Sequence, residues 1–133
     1  MRINNLSTLQ NIRNEFHNKF PYLKIEFYRH DHDAKHSSPK ADQISGNEKI
    51  SDLVGHSVNV DFEIQPLMTV GEFEKIFYEK TSLGVQVFRK SAGIWLQTSS
   101  TDSWTLEKQN GKGERSDSHV EIDPIDITDF DVE

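Results

Sequence analysis

One stretch constrains the fold of this chain more than any other: Met68 to Arg89, MTVGEFEKIFYEKTSLGVQVFR. Thr69 is a strong helix N-cap, because its hydroxyl accepts from a backbone N–H that the first turn leaves without a partner. Glu72, three residues on, can reach back and complete a capping box. Met68 before the cap and Phe73 inside the helix close a hydrophobic staple. Val70, Phe73, Ile76 and Phe77 recur at helical spacing and define one apolar stripe, with Glu74, Lys75, Glu79 and Lys80 off it. The pattern predicts a helix stopping near Thr81-Ser82, a turn at Gly84 and a strand over Val85 to Phe88.

The stretch Ser7 to Arg29, STLQNIRNEFHNKFPYLKIEFYR, repeats this design. Thr8, Leu9, Ile12, Phe16 and Lys19 match Thr69, Val70, Phe73, Phe77 and Lys80 at one constant offset. Leu23, Ile25, Phe27, Tyr28 and Arg29 match Leu83, Val85, Val87, Phe88 and Arg89 after a one-residue slip, which falls in the helix-to-strand turn where an indel is cheapest. We read the pair as a diverged internal repeat. The first helix is capped by Thr8 or, with Gln10 closing the box, by Ser7. Its inward residues are Leu6, Leu9, Ile12, Phe16 and Phe20, and Pro21 ends it.

Between the two units, Ser57 to Ile64 alternates Val58, Val60, Phe62 and Ile64 against Asn59, Asp61 and Glu63, a strand with one wet face. Ser91-Ala92-Gly93 reads as a hairpin turn into a last strand, Ile94 to Thr98. A short helix over Glu48 to Val54, capped by Asn47, fits the end of the long polar insertion at 29–56. The expected fold is a two-layer α+β sandwich, helix-strand-strand-helix-strand-strand, with two helices on one face of a mainly antiparallel four-stranded sheet. This order over residues 7–98 resembles the αββ-repeat topology of the alpha-lytic protease prodomain class and, more distantly, KH-type arrangements. The GxxG loop that carries RNA binding in the latter is missing, so that activity is not implied. Residues 1–108 form the predicted domain, 109–118 (QNGKGERSDS) a linker, and 119–133 a flexible tail of alternating acidic and apolar residues.

Charge narrows the function classes. The net charge is −7, and residues 119–133 hold six carboxylates without a Lys or Arg, which leaves the body close to neutral. Phosphate-backbone binding needs clustered Lys and Arg, so nucleic acid is not an expected partner. No run is long and apolar enough to span a bilayer, and no h-region marks a signal peptide, so no membrane association is expected and the cytoplasm is the expected location. The absence of cysteine removes disulfides, thiolate metal sites and cysteine nucleophiles together.

The one metal candidate is His30, His32 and His36, three imidazoles that leave a fourth position open as in a zinc centre, with Asp31 or Asp33 to orient them. His30 and His32 would share a strand face. Trp95 and Trp104 are candidates for the wall of a binding groove. In the tail, Ile125, Ile127 and Phe130 are anchors held among carboxylates, an arrangement that resists collapse while staying available to a partner. No string of residues matches a catalytic or cofactor motif. The expected function is therefore a non-enzymatic protein-interaction module, with a zinc-type and hydrolytic protein built on the three histidines as the alternative. No cofactor beyond that zinc is called for, and oligomeric state is not legible.

Overall fold

The computed structural model describes residues 1–29 and 36–118. Strands β1 (Arg2–Asn4), β2 (Leu23–Tyr28), β3 (Gln43–Ile44), β4 (Asn59–Asp61), β5 (Gly84–Ser91) and β6 (Ile94–Gln97) alternate with helices α1 (Leu9–Lys19), α2 (Ile50–Val54), α3 (Val70–Thr81) and α4 (Leu106–Ser118). Four strands make an antiparallel sheet in the order β3-β2-β5-β6, and β1 pairs with β4 in a separate two-stranded sheet. The fold is α+β, as expected, and no helix among the described residues is long and apolar enough to cross a membrane.

The predicted Thr69–Glu72 capping box forms, and the first helix has a box of its own. Thr69 Oγ1 accepts from Glu72 N at 3.1 Å, and Glu72 Oε1 accepts from Thr69 N at 3.0 Å. In the first unit Thr8, not Ser7, is the cap, and Asn11 rather than Gln10 closes the box. The turn after α3 is made by Ser82 in the left-handed region at φ 65°, which leaves Gly84 free to begin β5. Ala92 and Gly93, both at positive φ, make the two-residue turn between β5 and β6.

The core lies where the apolar stripes of α1 and α3 meet one sheet face. Leu23, Ile25 and Phe27 of β2 stand opposite Arg89, Val87 and Val85 of β5, and all six are buried. Aromatic rings join the two halves: Phe16 lies 5.0 Å from Phe73, and Phe27 lies 5.8 Å from Phe77. Offset rings at such separations add stabilisation beyond their buried area.

Several expectations need correction. The strand of strict alternation is short, and it joins β1 rather than the four-stranded sheet; its apolar residues still turn inward, Val58 and Ile64 buried and Val60 and Phe62 partly so. The place beside β2 goes instead to Gln43–Ile44, inside the insertion expected to be mostly loop. Leu6 is not inward but 74 % exposed, because the helix starts after it. Residues 109–118 are helical, not a linker. Two glycines lower the intrinsic helix propensity there, but Leu106, Gln109 and Lys112 recur at helical spacing and are buried, and packing outweighs propensity.

Each capped helix is also tied to a later one in the same way. Leu9 N donates to Glu48 O and Ile50 N to Ser7 O, joining the starts of α1 and α2. Val70 N donates to Trp104 O and Leu106 N to Met68 O, joining the starts of α3 and α4. Asn47, expected to cap α2, instead accepts from Gln10 N in the first turn of α1.

Candidate functional site

The second face of the sheet carries the site. Alternation places Lys24 and Glu26 of β2 opposite Leu23, Ile25 and Phe27, and the pairing Lys90↔Trp95 puts Phe88, Lys90 and Trp95 on the same outer side. Only Phe27 and Tyr28 of β2 pair with β3, so the earlier part of that strand has no strand neighbour on this side among the described residues. Basic side chains of α1 cover the gap. Arg13 Nη2 donates to Ile44 O and its Nη1 to Gly46 O, each at 3.1 Å. His17 Nδ1 lies 2.8 Å from Leu23 O, and since a carbonyl only accepts, Nδ1 holds the proton and Nε2 is left as an acceptor in the neutral ring.

What results is a groove of about 410 Å³. Gln10, Arg13, Asn14 and His17 of α1 form one wall, Lys24 and Glu26 the floor, and Gln43, Ser45 and Trp95 the remaining sides. Glu26 is mostly buried between two cations, 3.0 Å from Arg13 Nε and 3.2 Å from Lys24 Nζ. Trp95 is half-buried, with the Lys24 ammonium 5.2 Å and the Lys90 ammonium 5.8 Å from its ring centroid. Lys24 also lies 5.3 Å from the Phe88 ring. Cations prefer the negative face of an aromatic ring, so these contacts hold both lysines on the outer face. His17 meets Trp95 edge-on at 6.3 Å. Chemically the groove offers amide donors and acceptors, an apolar indole wall and a small surplus of positive charge.

Trp104, the other tryptophan candidate, does not line this groove. Lys108 Nζ stacks 4.0 Å from its ring and Arg89 lies 5.9 Å away. It belongs to a buried polar chain that sequence reasoning missed. Arg89 Nη1 donates to Gln109 Oε1 at 2.9 Å, Gln109 Nε2 donates to Thr101, and Thr98 Oγ1 donates to Val87 O at 2.9 Å. Val87 N in turn donates to the buried carboxylate of Glu74 at 2.9 Å. These bonds fasten the segment after β6, and the start of α4, onto β5. Glu74 sits beside the apolar stripe, and nothing local in the sequence separates it from a solvated glutamate.

Tyr28, at the far end of the outer face, has its hydroxyl pushed up to about 12 by burial first, and then by the negative charges of Glu26 and Glu74. Of the histidine candidates, His36 is described and exposed, while His30 and His32 lie outside the described residues, as do Ile125, Ile127 and Phe130. Among the described residues no group of three metal-ligating side chains comes together. Neither the α1 basic residues nor Lys90 were singled out by the sequence, because only the packing of α1 on the sheet and the β5–β6 register bring them to this groove. No protein family, curated protein or solved structure matches the chain.

Proposed function

We propose that this chain is a non-enzymatic protein-interaction module whose recognition surface is the groove between α1 and the outer sheet face, and whose occupant is a net acidic segment of a protein partner. The observation that carries this is the pair of lysine ammonium groups, Lys24 and Lys90, held within 6 Å of the Trp95 ring at the groove's edge. An indole wall beside fixed cations suits an extended chain that alternates apolar and carboxylate side chains. A cytoplasmic partner matches a chain whose fold uses no disulfide. The same reading takes the two halves as copies of one unit, for which the Thr8 and Thr69 caps and their matching ties to later helices are the support.

Panning a random peptide library against the immobilised wild-type chain and against a Lys24→Glu/Lys90→Glu variant tests the proposal. Acidic sequences should enrich on the first and not on the second. Equal enrichment on both, or enrichment of basic sequences, would remove the groove's assigned role. The zinc alternative rests on His30, His32 and His36. Elemental analysis of tag-free protein decides it, with stoichiometric zinc in favour and substoichiometric metal against.

A further inference from the structure

The helix α4 brings Asp117 to the rim of this same face. Asp117, its penultimate residue, accepts from Gly93 N at 3.0 Å in the β5–β6 turn, and its other oxygen lies 3.7 Å from Lys90 Nζ. Beyond Ser118 come fifteen residues, HVEIDPIDITDFDVE, with six carboxylates, six large apolar residues and no Lys or Arg. Extended, such a segment reaches about 50 Å, more than twice the width of a four-stranded sheet at ~4.8 Å per strand. The outer face beside Asp117 holds Lys90, Lys24 and Arg13 against two carboxylates, Glu26 and Asp117, each within 4 Å of a lysine. Charge, apolar pattern and point of departure agree.

We propose that residues 119–133 of the same chain occupy the outer face over Trp95, Lys24 and Lys90, so that the tail competes with a partner's acidic segment for the groove. This rests on the reading of the groove as a site for acidic segments, and it adds self-occupancy as its regulation. A tether this short gives the tail an effective concentration in the millimolar range. A weak contact in cis is therefore enough to hold the face until a stronger segment displaces it.

The test uses the 133-residue chain and a variant with Asp123, Asp126, Asp129 and Asp131 all changed to Asn. The indole N–H resonance of Trp95, identified with Trp95→Phe, should differ between the two proteins at an ionic strength of about 0.01 M and converge at about 1 M, where exposed charges are screened. The Trp104 resonance should stay put. Titrated with a synthetic peptide of residues 119–133, the tail-neutralised variant should bind about tenfold more tightly than the wild type, the factor expected when a tethered competitor is weakened. Lys90→Gln in the variant background should weaken that binding. An unchanged Trp95 resonance with equal peptide affinity for both proteins would overturn occupancy in cis while leaving the groove reading intact. No peptide binding to either protein would overturn both. A Trp95 difference that grows with protein concentration would assign the tail to a second copy of the chain and overturn the cis proposal.

Discussion

At the scale of single residues, two titrating groups report on the fold directly. The Glu72 carboxyl is held below the usual carboxylate range by the Thr69 backbone N–H first and by the Thr69 side chain second. A depressed carboxyl supports the folded state above its unfolded pKa, and that support fades as pH falls through the folded value. Thr69→Ala should move the Glu72 titration, followed by carboxyl-carbon NMR, upward toward the ordinary range and cost about 1 kcal/mol of stability in urea unfolding. Tyr28 has the opposite sign. Its folded pKa of about 12 lies above the usual 10, so the stability tied to its protonated form is complete below pH 10 and lost as pH rises toward 12. Absorbance at 295 nm should show one of the three tyrosines titrating late, and Tyr28→Phe should remove that step. Neither behaviour needs the whole fold to be known for Thr69, whose box is a four-residue pattern. For Tyr28 it does, because Glu26 and Glu74 reach it from two different elements.

At the scale of elements, α4 is the most instructive, since two glycines of one helix meet opposite surroundings. A Cβ at Gly113 would stand 2.9 Å from Tyr22 Cβ and 3.0 Å from Tyr22 O, so backbone must move. Gly113→Ala should destabilise the protein by about 1–3 kcal/mol, as overpacking does. A Cβ at Gly111 would meet only the tip of Arg115 at 3.5 Å. Gly111→Ala should be neutral to stabilising, by up to about 1 kcal/mol of helix propensity. Thermal unfolding of the two variants side by side checks the pair, and equal effects would mean that α4 does not pack on Tyr22 as described. The stretch QNGKGERSDS reads as linker by composition, and it is the burial of Gln109, bonded to Arg89 of β5 and to Thr101, and of Lys112 that makes it a helix. Polar residues at helical spacing give no apolar stripe to read.

At the scale of the whole molecule, the aromatic rings make one unit of the two halves. Phe16 touches Phe20 at 5.4 Å and Phe73 at 5.0 Å, and Phe73 continues to Phe77 at 6.1 Å. Phe16→Ala should therefore cost about 3–5 kcal/mol. It should lower one cooperative transition, seen alike by far-UV circular dichroism and by tryptophan fluorescence; two separated transitions would show the halves to be independent. How much of this was legible follows from the range of each interaction. The sequence by itself determined the two capped helices, the strands that follow them, the hairpin at Ala92-Gly93 and the inward faces, because caps, turns and amphipathic stripes are written in neighbouring residues. It also marked Trp95 as a candidate wall. Only the tertiary structure decided that Gln43–Ile44 and not Asn59–Asp61 flanks β2, that α4 is a helix, and that His17, Lys24 and Lys90 gather around one indole. Those outcomes depend on strand register and on partners dozens of residues apart, and a one-residue shift of register would send each of these strand side chains to the other face.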